Sequence, residues 1–381
     1  MQNQVCTNIE NGDKITISNV EEKRYKIGNL LIIACFFLYM ASMAVKAIFV
    51  AEMKFIQTLW ELTYAKVSLA NTFYFVPYGI VQLLMFVFMR KINMRKFMIV
   101  TIPLAALCGI LMGTTNKIEW MWIYFGLTGI FQASIYCGCI EMLAVYLPAK
   151  LITKANKFMA SAFAIGSFIS YALCALCIFF GAWRIPYFAL GGMFTIAVVM
   201  FIIVVNKAKR YRKINQLLDK KEKEATINQN NQKPFEDNPI LHLHTKKRKT
   251  IFYVVDILIS FLVTALYYCV MNYISSLLVD EYGVNQDISI YISMLAPFAI
   301  LFGPILAINS CNKNRNFIAQ IIKFLLFALP CPLLLAFFYG ANMFVALLFI
   351  LVFIVMVKGA MEIILSIINF KNSTSCNIAK P

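Results

Sequence analysis

Residues 185–213 read IPYFALGGMFTIAVVMFIIVVNKAKRYRK. The first twenty-one carry no charged side chain, and five basic residues, Lys207, Lys209, Arg210, Arg212 and Lys213, then follow within seven positions. An apolar run of about 20 residues is the length at which a helix crosses the hydrocarbon core of a bilayer. A basic cluster directly after such a run marks the end that stays in the cytoplasm. Read this way, the stretch is one membrane-spanning helix, and the same pattern recurs along the chain.

Ten such blocks are expected, at roughly 29–50, 68–89, 97–115, 120–147, 158–180, 183–205, 251–279, 287–309, 316–338 and 342–370. Each should be helical, because backbone polar groups facing lipid must be satisfied inside their own segment. Composition agrees: 61% of residues are hydrophobic and 14% charged, which a water-exposed surface does not tolerate. The blocks at 120–147 and 342–370 are long but contain no internal polar turn, so each reads as one tilted helix. Residues 1–28 are polar and lack the apolar core of a secretory signal.

The basic residues set the orientation. With the N-terminus inside, the inner loops and tails hold 28 of the 35 Lys and Arg residues, among them Arg90, Lys91, Arg95 and Lys96, while the outer loops hold Lys54, Lys66, Lys117 and Arg184. Both ends are therefore expected in the cytoplasm of a multi-pass cell-membrane protein. The net charge of +17 is the sum of these loops, so it points to anionic lipid headgroups and gives no support to a nucleic-acid partner.

The expected organisation is an N-terminal tail (1–28), a six-helix bundle (29–205), a basic cytoplasmic linker (206–250), a four-helix bundle (251–370) and a cytoplasmic tail (371–381). In the linker, KAKRYRKINQLLDKKEKEA is suited to a helix at the membrane surface, and TINQNNQKPFEDNP has neither helical period nor apolar content. His242 and His244 at its end read as solvated loop residues, since an H-x-H pair alone does not make a metal site. The eleven cysteines lie mostly within the apolar blocks, where Cys packs as a small apolar residue; Cys174 and Cys177 form a C-x-x-C without the strand context of a redox motif.

No P-loop, G-x-S-x-G elbow, H-E-x-x-H or glycine-rich dinucleotide turn occurs, so neither an ATP-driven pump nor an enzyme is indicated, and no metal or cofactor is expected. The informative residues are the ionisable ones within or near the blocks, because such groups are costly in lipid and usually line a cavity or pair with one another. These are Lys46, Glu141, Asp256, Lys323, Lys358 and Glu362. Lys358 and Glu362 are spaced i, i+4 and read as a local ion pair. Glu141, Asp256 and Lys323 lie near the inner helix ends and read as snorkelling to the interface. Lys46, in YMASMAVKAIF, has two readings: a lysine reaching the outer headgroups, or an anion ligand facing a cavity, with Tyr39 two turns below on roughly the same face.

Three stretches resemble the major facilitator superfamily of secondary transporters. GIFQASIYCGCIEMLAVYLP resembles its fourth helix, AIGSFISYALCALCIFFGAWRIPYFALGGMF its fifth and sixth, and VPYGIVQLLMFVFMRKINMRKF its second helix and basic loop. The resemblance implies an all-α integral membrane fold of two bundles around a central cavity, with about ten transmembrane helices (six plus four) and a long cytoplasmic central loop. The superfamily's usual count is twelve, so the second bundle reads as incomplete, either as a shortened or decayed transporter or as one partnered in a homo-oligomer.

Within the superfamily, FFLYMASMAVKAIF resembles the first helix of the organophosphate:phosphate antiporters, where a tyrosine precedes a phosphate-binding arginine by seven residues. The corresponding positions here are Tyr39 and Lys46. Where that group has a second arginine in its seventh helix, FLVTALYYCVMNYISSLL offers Tyr267. The resemblance implies alternating-access transport of a small anionic organic solute, with Lys46 holding the anion and Tyr39, Gln132, Tyr136, Tyr267 and Asn272 supplying hydrogen bonds. The alternative is a non-transporting sensor or interaction protein built on a transporter scaffold.

Overall fold

The computed structural model describes residues 14–88, 92–147, 149–229, 265, 267–313, 317–338 and 342–378. Asp256, His242, His244 and the side chain of Glu362 lie outside the described residues. Every element among the described residues is helical: α1 (Lys14–Leu59), α2 (Tyr64–Phe88), α3 (Met94–Met112), α4 (Ile118–Tyr146), α5 (Ala149–Phe179) and α6 (Ile185–Gln229) fall on the first six expected blocks. They are followed by α7 (267–282), then α8 (Gln286–Ser293), α9 (Leu295–Ile300), α10 (Phe302–Lys313), α11 (Phe317–Ala328), α12 (Pro330–Phe338) and α13 (Met343–Ile378). Eight described helical runs are long and apolar enough to cross a membrane, and Ala319–Leu335 adds a shorter apolar one. The chain is an all-α, multi-pass membrane protein.

α1 runs for 46 residues and encloses the expected block with turns to spare at both ends. Between Lys14 and Leu59 the sequence has no proline and one glycine, Gly28, so nothing there stops a helix. It ends where Glu61 takes a φ of 49°. The amide of Leu62 then donates to the Gln57 carbonyl at 3.0 Å and that of Glu61 to Thr58 at 3.3 Å, the pair of bonds that closes a helix through a left-handed residue. Glu52 and Lys54 are consequently helical residues and not loop residues. α6 is likewise continuous from its apolar half into the basic stretch, so the helix expected at the start of the linker is the prolongation of α6.

The expected blocks at 287–309 and 316–338 are interrupted, and proline accounts for each interruption. A proline ring clashes with the carbonyl four residues back. Pro297 disturbs Ser293 and Pro304 disturbs Ile300, which separates α8, α9 and α10 at Met294 and Leu301. Pro330 and Pro332 divide α11 from α12 at Leu329 in the same way.

The described residues form two compact units. The first is drawn from Met1–Ser42, Thr72–Ala162 and Ala189–Lys233, and the second from Met43–Asn71, Phe163–Phe188 and Pro234–Pro381. In the first unit α3 packs along α4, and α4 approaches α2 closely at Gly129, where a Cβ would stand 2.5 Å from the Tyr74 carbonyl oxygen. That approach lets the Tyr74 hydroxyl donate to Gln132 Oε1 at 2.9 Å, while Gln132 Nε2 donates to the Ser42 carbonyl at 3.1 Å. In the second unit α13 packs against α9, α10, α11 and α12. It crosses α10 closely, where a Cβ on Gly303 would meet the Val355 carbonyl oxygen at 2.8 Å.

Candidate solute site

The second unit contains the one expected site residue that carries charge. Lys46 projects from α1 and is 8% exposed. It opens on a small cavity lined by, among others, Ser167 and Tyr171 of α5 and Tyr268 and Asn272 of α7. Its Nζ lies 4.5 Å from the centroid of the Tyr268 ring. An ammonium over a tyrosine face is held by the ring quadrupole, which lowers the cost of keeping the charge away from water.

Lys358 of α13 takes the neighbouring ring. Its Nζ is 4.4 Å from the centroid of Tyr267 and 4.9 Å from that of Phe163. Tyr267 and Tyr268 are consecutive on α7, so helical geometry fans their side chains about 100° apart, and each ring carries one lysine. The two ammonium groups act on one another electrostatically. The sequence alone offered a single cation at this point; the fold adds a second, from a different helix than the resemblance implied.

The surroundings are polar without being acidic. Among the described residues no Asp or Glu lines the cavity, and Ser167 is buried beside it. The Tyr267 hydroxyl is wholly buried and has no hydrogen-bond partner among the described residues. The arrangement thus presents two cations and a set of hydroxyl and amide groups, which is the chemistry that recognises an anion. The cavity holds ≈ 30 Å³, far below the several hundred Å³ of a typical ligand pocket, so an organic solute requires it to widen.

Lys46, Tyr267 and Asn272 all belong to this unit. Tyr39, Gln132 and Tyr136 belong to the first, where the rings of Tyr39 and Tyr136 stand 5.1 Å apart and Gln132 has both ends of its amide engaged by Tyr74 and Ser42. Sequence reasoning missed Lys358, Tyr268, Tyr171 and Ser167. The spacing of Lys358 and Glu362 predicts an ion pair whose Glu362 side chain lies outside the described residues, and such a local signal says nothing of the ring across the unit. Of the other ionisable candidates, Lys323 is exposed, and Glu141 is half-buried with Oε2 unpartnered among the described residues. No cluster of three or more metal-ligating side chains occurs among the described residues.

The family model of the Major Facilitator Superfamily matches residues 31–372, and the chain belongs to that superfamily of membrane transporters. No curated protein matches it by sequence. Among solved structures it is similar to the xylose transporter XylE from E. coli in a partially occluded inward-open conformation, at 13% identity and a TM-score of 0.65 over 88% of this chain and 85% of that one. It is also similar to a D-xylose-proton symporter (14% identity, TM-score 0.61, 87% and 80% covered). A bacterial homolog of the human lysosomal transporter Spinster in an inward-facing, unoccupied conformation matches at 12% identity and a TM-score of 0.56, over 93% and 75%. At such identities the likeness is one of fold.

Proposed function

We propose that this protein is a secondary transporter of the cell membrane that moves a small anionic organic solute by alternating access, with Lys46 and Lys358 as the two cations that receive the anion. The observation that carries this reading is the pair of lysines standing over consecutive tyrosines, one of them beside a cavity whose described lining has no carboxylate. Two of the structurally similar proteins are named for xylose, a neutral sugar; two ammonium groups at a solute site favour a charged partner instead. Phosphate esters and carboxylates are the solute classes that fit, with lysine binding them as a point charge. In this reading Tyr171, Ser167 and Asn272, which line the cavity, and Tyr267 beside Lys358 donate to or accept from the same solute. Superfamily membership supports alternating access, and the narrow cavity is one state of such a cycle.

The test is a thermal-shift series on the purified protein with inorganic phosphate, glycerol phosphate, dicarboxylates and neutral sugars, followed by counterflow in proteoliposomes. A ligand that binds only the folded state raises its stability with concentration. Stabilisation by an anion that Lys46→Ala and Lys358→Ala both abolish, together with exchange of that anion, supports the reading. Stabilisation by neutral sugars alone removes the anion assignment. Binding without exchange moves the protein to the sensor alternative.

A further inference from the structure

The last turns of α7 carry Tyr273, Ser276, Leu277, Asp280 and Glu281, a spacing that puts all five on one helical face. Together with Tyr64, the first residue of α2, they line a cleft of ≈ 240 Å³ that lies wholly within the second unit. That volume is close to the lower end of the range for small-molecule pockets, about 300 Å³, against ≈ 30 Å³ for the cavity at Lys46. Ser276 is buried, and Tyr64 and Tyr273 are half-buried with ring centroids 5.6 Å apart. Asp280 and Glu281 are exposed. In the orientation that the basic residues predict, these ends of α2 and α7 face outward.

Two carboxylates in this position need a counter-charge. α7 closes just beyond them, where Gly283 takes a φ of 64° and the amides of Gly283 and Val284 donate to the Val279 and Leu278 carbonyls at 3.1 and 3.2 Å. The end of a helix is the negative end of its dipole, which disfavours Asp and Glu and favours a cation. Lys54 supplies one ammonium, to Asp280 at 2.5 Å, but no Lys or Arg is among the described residues that line the cleft. The tyrosine rings add a second attraction, because an aromatic face is the negative pole of the ring quadrupole. Carboxylates beside aromatic faces are the chemistry that recognises an ammonium with carbon substituents: the oxygens attract the charge, and the rings attract both the charge and the alkyl groups. A hard metal ion fits less well, since it takes about six to eight oxygen ligands and the described residues gather no cluster of three or more His, Cys, Asp or Glu.

We propose that this cleft is a binding site for a substituted ammonium ion, whether a free organic amine or a lipid headgroup, with Asp280 and Glu281 drawing the charge and Tyr64 and Tyr273 receiving the alkyl groups. The site goes beyond the transport reading and does not rest on it. Asn272 lines the cavity at Lys46 and Tyr273 lines the cleft, so consecutive residues of α7 serve two sites of opposite charge preference. An ammonium ion in the cleft competes with Lys54 for Asp280.

Titration of the full-length protein with tetramethylammonium in maltoside micelles, followed by saturation-transfer NMR, tests the site; tert-butyl alcohol, similar in shape but uncharged, is the control. The expected result is saturable binding of the cation that the alcohol does not displace. Glu281→Gln and Tyr273→Leu should each weaken it about fivefold, and Tyr273→Phe, which keeps the ring face, should leave it unchanged. Lys54→Ala should tighten it, because the competing ammonium is gone, an effect that mere loss of structure does not produce. Absence of saturable binding overturns the proposal, as does displacement by the alcohol or an affinity that Glu281→Gln and Tyr273→Leu leave unmoved. Repeating the titration in nanodiscs of phosphatidylcholine and of phosphatidylglycerol separates the two sources of the ammonium. Equal affinity in both upholds the site as one for a free amine, and affinity lost in the phosphatidylcholine discs alone upholds it as one for the lipid headgroup.

Discussion

The ammonium of Lys54 meets the carboxylate of Asp280 at 2.5 Å, joining the last turns of α1 to the last turn of α7. Gln286 reinforces the same end of the unit by donating to the Thr58 hydroxyl at 2.7 Å. Asp280 is 48% exposed, and half-solvated pairs contribute at most about 1 kcal/mol. Lys54→Ala and Asp280→Ala should each lower stability in detergent by no more than that. The exchanged pair Lys54→Asp with Asp280→Lys should recover most of the loss, and high salt should erase the difference, as a midpoint shift in thermal denaturation would show.

For the two lysines of the candidate site, a hydrogen bond to a charged group is worth about 1.5–3 kcal/mol. Lys46→Ala and Lys358→Ala are each expected to weaken binding of a phosphate ester about tenfold or more, read by calorimetry or by ligand-dependent thermal shift. The double variant should lose less than the sum, because both ammonium groups serve one anion. Replacement of Lys46 by Gln, similar in length but uncharged, should weaken an anion and leave any neutral ligand unchanged.

Gly129 tests the helix crossing in the first unit. A methyl group there would stand 2.5 Å from a backbone oxygen of α2 that cannot swing aside. Gly129→Ala should cost about 1–3 kcal/mol through forced separation of the helices. Gly79, with nothing within 4 Å of its Cβ position, is the internal control, and Gly79→Ala should be neutral or slightly stabilising.

Gln132 joins three helices through its amide, taking one bond from Tyr74 and giving one to Ser42. Gln132→Leu leaves the buried Tyr74 hydroxyl without that acceptor and should cost about 1–3 kcal/mol. Adding Tyr74→Phe should return part of the loss, since the hydroxyl that lost this acceptor is then gone. A double-mutant cycle on the thermal midpoint measures the coupling.

Most of the helices were legible because a bilayer imposes one length and one polarity on each of them. What the apolar blocks could not give was where helices end in water. α1 continues through Glu52 and Lys54 because its sequence contains no stop before the Glu61 turn, and a hydropathy reading ends a helix at the first charges. The proline interruptions were written in the sequence as Pro297, Pro304, Pro330 and Pro332, but a proline in an apolar run can kink a helix or end it, and its surroundings decide which. At the site, the cation of α1 was visible as a lone charge in an apolar run. Lys358 was visible too, but its partner in sequence concealed its partners in space: a spacing of four residues describes one helix face, whereas the ring of Tyr267 comes from another helix.

The four prolines that divide α8 to α12 also remove four amide protons from the hydrogen-bond ladder of the second unit. Each missing proton leaves the carbonyl four residues back with one donor fewer, and a helix that is locally short of bonds opens at lower free energy than its neighbours. In a deuterium-exchange time course, the amides around Met294, Leu301 and Leu329 should be the first of that unit to take up label. The unbroken stretch of α13 that carries Lys358 should be among the last. Within that unit the clock would then run fast at the proline breaks and slowly in the helix that holds one of the charges of the candidate site.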